Sequence, residues 1–179
     1  MVSDLSLSVE NADAGVTSVT NGGVESGEEN PDNWWFGSGD YNAFKFNWND
    51  AVYSSPYHSL EITSKGSGDK FAFWAQTISA EQVVGKSITV NVKAKTSDFS
   101  GNGVYVAIRG DDTLLPYGSA EVFKTTQNIE THTGDFDWTT ISVTLDSVPA
   151  NIKSITVYLL YGTETAGTVY FDDLTMDVK

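Results

Sequence analysis

A chain of 179 residues, with no Pro-rich or Ser-rich break, suits one domain with a sizeable core over residues 1–179. Its net charge of −14 and pI near 4.2 exclude nucleic acid and anionic membrane surfaces as partners, since both repel it at long range, and leave neutral ligands or cations. With no cysteine there are no disulfides or thiolate metal sites, His58 and His132 alone do not make a zinc site, and no apolar run approaches the ~20 residues that span a bilayer.

The first residues, Met1 to Asp4, lack the basic and apolar regions of a signal peptide. Leu5, Leu7 and Val9 then alternate with serines, and a second short run from Val16 leads into Asn21-Gly22-Gly23, so residues 1–20 form a strand or a paired arm. The stretch 25–40 is acidic and turn-rich yet carries Trp34-Trp35-Phe36, which fits a loop folded back over the core. An extended chain points adjacent tryptophans to opposite sides, so one is buried and the other covers an edge or faces a ligand. Phe44, Phe46 and Trp48 alternate with Lys45 and Asn47 and form a same-face row.

Ser59 to Ser64 is a strand with Leu60 and Ile62 inward, and 71–78 is a strand with large residues on both faces. Ser87 to Thr96 is a half-buried strand, with Ile88, Val90, Val92 and Ala94 on one face and polar groups on the other. The next strand, 104–110, places Val104, Val106 and Ile108 inward and Tyr105, Ala107 and Arg109 outward. A loop over 111–120 is apolar for a connection, holding Leu114-Leu115-Pro116-Tyr117. Strands over 138–145, 152–161 and 167–178 complete eight to ten, with turns at 8 to 12-residue spacing and no helical period. The fold class is all-β: a two-sheet antiparallel β-sandwich of jelly-roll type.

In the last strand Val169, Phe171, Leu174 and Met176 share a face only if a bulge at Asp172-Asp173 repairs the period of two. Two carboxylates there are either a solvated pair at a strand end or a seat for a hard cation such as calcium.

Six segments, in order, resemble the carbohydrate-binding modules of the galactose-binding-domain-like jelly-roll group, of the family 4, 9 and 22 type. They are Asn21-Gly22-Gly23-Val24-Glu25 followed by Trp34; Ser54 to Leu60; Trp74 with Gln76; Gly85-Lys86; Trp138 to Thr144; and Tyr170 to Leu174. Gly22 and Pro56 stand where the group has Pro and Gly. The resemblance implies a structural calcium held by Glu25, the Tyr57 carbonyl and Asp172, with Asp173 as a possible extra ligand. It also implies that Trp34 is structural, leaving Trp35 as the ligand-facing candidate.

A neutral polysaccharide needs aromatic rings for its C–H faces and planar polar groups for its hydroxyls. Trp74 and Gln76 share one strand face, and Tyr105 and Arg109 share one of theirs; if the two coincide they form a binding floor. Tyr158 is a further candidate and Tyr117 a loop wall. The expected protein is therefore a non-catalytic, monomeric, extracellular module. It binds a polysaccharide or oligosaccharide of the β-glucan or xylan class and targets parent enzyme domains in the same chain. The alternative is a structural or adhesive sandwich of a secreted surface protein. Arg109-Gly110-Asp111 spells an adhesion tripeptide, but three common residues at a strand end occur by chance, and the outward face explains Arg109 better. Adjacent acidic pairs point apart and no nucleophile and base motif is present, which argues against an enzyme.

Overall fold

A computed structural model describes residues 19–179, so the expected N-terminal strand or arm lies, apart from its last two residues, outside the described residues. The strands are β1 (Trp35–Ser38), β2 (Lys45–Asn49), β3 (Ser59–Ser64), β4 (Ala72–Ser79), β5 (Ile88–Gly101), β6 (Val104–Asp111), β7 (Val122–Thr125), β8 (Thr139–Leu145), β9 (Ser154–Tyr161) and β10 (Thr165–Val178). They form two antiparallel five-stranded sheets, in the orders β1-β4-β9-β6-β7 and β2-β3-β10-β5-β8. There is no helix among the described residues, and the architecture is the expected jelly-roll sandwich.

The alternation read from the sequence sets the core. In β5, Ile88, Val90, Val92 and Ala94 are buried, and in β6 Val104, Val106 and Ile108 are buried. They meet the inward residues of β9 and β10, chiefly Ile155, Val157, Leu159, Val169 and Phe171. Of the aromatic row on β2, Phe44 just before it is buried, and Phe46 and Trp48 are half-buried against the same core. Trp34 is buried and its indole N–H donates to the Asn21 carbonyl at 2.9 Å.

The bulge expected in the last strand is present. The pairing of β10 with β5 shifts register between Asp172 and Thr175, and Asp173 takes a φ of 50°, a left-handed conformation that Asp tolerates better than most residues. The shift keeps Leu174 as well as Val169 and Phe171 in the core. A second shift, between Ala166 and Thr168, centres on Gly167 at φ 108°, where a Cβ would lie 2.2 Å from the Asp98 carbonyl oxygen, so only glycine fits.

Candidate functional site

Register across the first sheet decides which side chains share its outer face. Phe73 lies opposite Leu160, which lies opposite Tyr105; Ala75 lies opposite Tyr158, which lies opposite Ala107; Thr77 lies opposite Thr156, which lies opposite Arg109. On the flanking strands Trp35 faces Ala75 and Phe123 faces Arg109. The outer face therefore presents aromatic rings toward β1, a small floor of Ala75, Ala107 and the Thr77–Thr156 hydroxyl pair at 2.9 Å, and a guanidinium toward β7.

The rings pack edge to face, the arrangement that aromatic quadrupoles favour. Trp35 and Phe73 have centroids 5.3 Å apart, Phe73 and Tyr158 4.9 Å, and Trp35 and Tyr158 6.3 Å, all near perpendicular. Phe71 continues the strip, stacked on Phe73 at 6.3 Å. Gly37 makes this possible: a Cβ there would lie 2.6 Å from the Phe73 ring, so Phe73 lies across β1. The Trp35 indole N–H is buried without a partner among the described residues.

At the other end the Arg109 guanidinium grips the buried Asp111 carboxylate through Nε, at 3.1 and 2.9 Å, and Nη2, at 2.9 Å. Nη2 also donates to the carbonyls of Tyr117 and Gly118, at 3.2 and 2.8 Å, pinning the 112–121 loop to the sheet. Burial pushes the Tyr158 phenol up, an effect that the neighbouring guanidinium opposes. Tyr105 is half-buried and its hydroxyl donates to the Asn102 carbonyl at 2.9 Å, while Tyr117 is exposed on the loop.

Of the expected binding residues, the structure brings Trp35, Tyr105, Tyr158 and Arg109 onto one face, with Tyr117 at its rim. Trp74 and Gln76 are corrected: they lie on the opposite, inward face of β4. Trp74 is 2% exposed and its indole N–H donates to the Glu61 carbonyl. Gln76 is buried, its side-chain oxygen accepting from the Thr20 N–H at 2.7 Å and its nitrogen donating to the Thr20 carbonyl at 2.9 Å. Their place outside is taken by Phe73, with Leu160 and Phe123, which the sequence reading passed over. Large residues on both faces of this stretch, Phe71 and Phe73 against Trp74 and Ile78, left no local signal to tell the two faces apart.

The four residues expected to hold calcium cluster around the 54–58 loop. Asp172 Oδ2 accepts from the Ser54 and Ser55 N–H groups, at 2.8 and 2.9 Å, and Oδ1 from the Asp173 N–H at 2.7 Å. Asp173 accepts from the Ser55 hydroxyl and lies 3.6 Å from Lys93 Nζ. The Glu25 carboxylate accepts from the Tyr57 and His58 N–H groups, and His58 stacks on Trp48 at 4.2 Å. Among the described residues no three of His, Cys, Asp and Glu converge as ligands. Hydrogen bonds from backbone N–H groups and the Ser55 hydroxyl clamp this loop through the same carboxylates.

Burial pushes the Asp172 carboxyl up to about 6, against the pull of its three N–H donors. Unfolding returns it to the ordinary value of 3.8, so its contribution to stability is full below 3.8 and is lost as pH rises through 6. Between pH 7 and pH 4 it should add on the order of 2 kcal/mol. In Asp172→Asn this part of the pH dependence of melting should vanish. Chelator should leave the wild-type melting temperature unchanged; a fall that calcium restores would overturn the hydrogen-bond clamp.

No protein-family model and no curated protein matches the chain. Solved structures do. A family 4 carbohydrate-binding module superposes with a TM-score of 0.59 at 22% identity, over 90% of this chain and 100% of that one. The family 11 module of Clostridium thermocellum, solved with a β-1,3-1,4-mixed-linked tetrasaccharide, superposes at 0.54 with 15% identity, over 89% and 93%. The chain has the carbohydrate-binding-module fold. The enzymatically active domain of tailspike protein 4 of bacteriophage CBA120 superposes at 0.62 with 17% identity, over 90% of this chain but only 21% of that one. This chain thus matches about a fifth of the length of that tailspike domain. Among the described residues no helix is long and apolar enough to cross a membrane.

Proposed function

We propose that the chain is a non-catalytic module whose first-sheet outer face binds a neutral polysaccharide of the β-glucan or xylan class. The observation that carries this reading is the Trp35–Phe73–Tyr158 ring strip sharing one sheet face with Tyr105 and the Asp111-anchored Arg109. Rings take the C–H faces of sugar units, and phenol, hydroxyl and guanidinium groups take their hydroxyls. The module fold supports the reading, and the net charge of −14 favours an uncharged polymer. Attached to an enzyme in a secreted protein, such a face raises the local concentration of substrate without chemistry of its own.

Affinity electrophoresis against soluble β-glucans, xylans, mannans and galactans tests it. At least one polymer should retard the protein, and Tyr105→Ala, on a half-buried side chain, should cut that retention about tenfold while leaving the melting temperature within about 2 °C. Retention by none of the polymers would overturn the reading.

A further inference from the structure

Beside the ring strip, along the edge of β1 that no described strand pairs, lies a groove of ≈ 560 Å³. Trp35, Phe36, Tyr41, Phe71 and Phe73 form most of its wall, and Phe36, Tyr41 and Phe71 are exposed, at 36%, 53% and 48%. Rings exposed this far in one concavity cost hydration free energy unless a ligand covers them.

The groove's chemistry narrows the occupant. Its polar groups are few for its size: Asn30, the Tyr41 hydroxyl, the Trp35 indole N–H and the Ser38 hydroxyl, the last already engaged with the Asp40 backbone, donating to its carbonyl at 3.1 Å and accepting from its N–H at 3.0 Å. A sugar ring would lose water from several hydroxyls and gain few partners in return, so the groove does not suit a bare pyranose. An anion is disfavoured as well. The wall itself holds no lysine or arginine, and around it Glu28, Glu29, Asp32 and Asp40 outnumber Lys70, whose side chain runs beside Gly39 and pairs with Asp69 at 3.3 Å. What fits is an uncharged, flat, mainly apolar group with room to spare.

The groove is also continuous with the sugar-binding face, because Trp35 and Phe73 line both. A group entering it can hang from a glycan lying along the outer face. We propose that the β1 groove binds an aromatic ester substituent, of hydroxycinnamoyl type, carried by the bound polysaccharide. The inference rests on the sugar-binding reading for the chain that carries the ester, but not for the groove's own affinity. The ester linkage matters: it removes the carboxylate charge that the acidic rim rejects.

The test titrates the whole chain with the methyl ester of a hydroxycinnamic acid and, separately, with the free acid, following backbone amide shifts. The ester should shift residues 36–41 and 71–73 and bind at least tenfold more tightly than the acid. Tyr41→Ala should abolish the shifts, and Tyr105→Ala, away from the groove, should keep them. For the polymer that retards the protein, grafting hydroxycinnamoyl esters should raise affinity about tenfold, and alkaline saponification should remove the gain. Equal binding of ester and acid, shifts elsewhere, or no shifts would overturn the inference. So would a dimer in sedimentation that Tyr41→Ala dissociates, since a second copy would then own the groove. Ester binding without retention by any polymer would overturn the sugar-binding reading and leave the groove assignment standing; polymer retention without ester binding does the reverse.

Discussion

Trp74→Ala should lower the stability of the domain by about 3–5 kcal/mol, a fall in melting temperature on the order of 10 °C, while the folded fraction keeps its affinity for polysaccharide. The indole is among the largest fully buried side chains, packed between the sheets with Phe36 at 5.1 Å and Phe46 at 6.2 Å, both edge to face. Truncation leaves a cavity that rigid strands on both sides do not close, and it strands the Glu61 carbonyl that the indole N–H satisfies. Trp74→Phe, keeping an aromatic ring but not the N–H, should cost roughly half as much. Differential scanning calorimetry gives the melting temperatures, and electrophoresis well below them gives the binding. An unchanged melting temperature with lost binding would return Trp74 to the ligand face and undo the assignment of faces made for β4.

Asp111→Ala should act on both stability and binding. Asp111 is 1% exposed and the Arg109 side chain is partly covered, so truncation leaves a guanidinium whose main partner is gone, at a cost of about 2 kcal/mol. That is less than for a fully buried pair, because water reaches Arg109. The same guanidinium holds the Tyr117 and Gly118 carbonyls, so hydrogen exchange should quicken across 112–121. Polysaccharide retention should fall at least tenfold, because Arg109 then samples many positions on the outer face. The double variant Arg109→Met with Asp111→Leu separates the two effects: it should recover most of the stability and none of the binding. Full retention in that variant would show that the guanidinium takes no part in holding the glycan.

The sequence made some of this legible and hid the rest for identifiable reasons. Alternation of period two showed that Tyr105 and Arg109 share a face, and that Trp74 and Gln76 share one. In β6 the inward face was plain, since valines and isoleucine oppose a tyrosine and an arginine. In β4 it was not, because Phe71 and Phe73 oppose Trp74 and Ile78, and both faces of the strand are covered. Which face points inward depends on the register with β9, a relation between strands that no local window contains. The Asp172–Asp173 bulge was legible from broken phase. The groups that receive those carboxylates were not, because they are mainly backbone N–H groups of Ser54 and Ser55, more than a hundred residues away, and every residue type except proline carries one.

The position of β10 has a consequence for biosynthesis. It is the last of the described strands in chain order and the middle strand of its sheet, bonded to β3 on one side and β5 on the other. Until it emerges, β2 with β3 and β5 with β8 are separate two-stranded ribbons, each too small to be stable alone. Throughout synthesis the chain therefore carries two open, apolar strand edges that invite pairing with other nascent chains. The fourteen residues of β10 close both at once, so the second sheet is completed only once β10 has emerged.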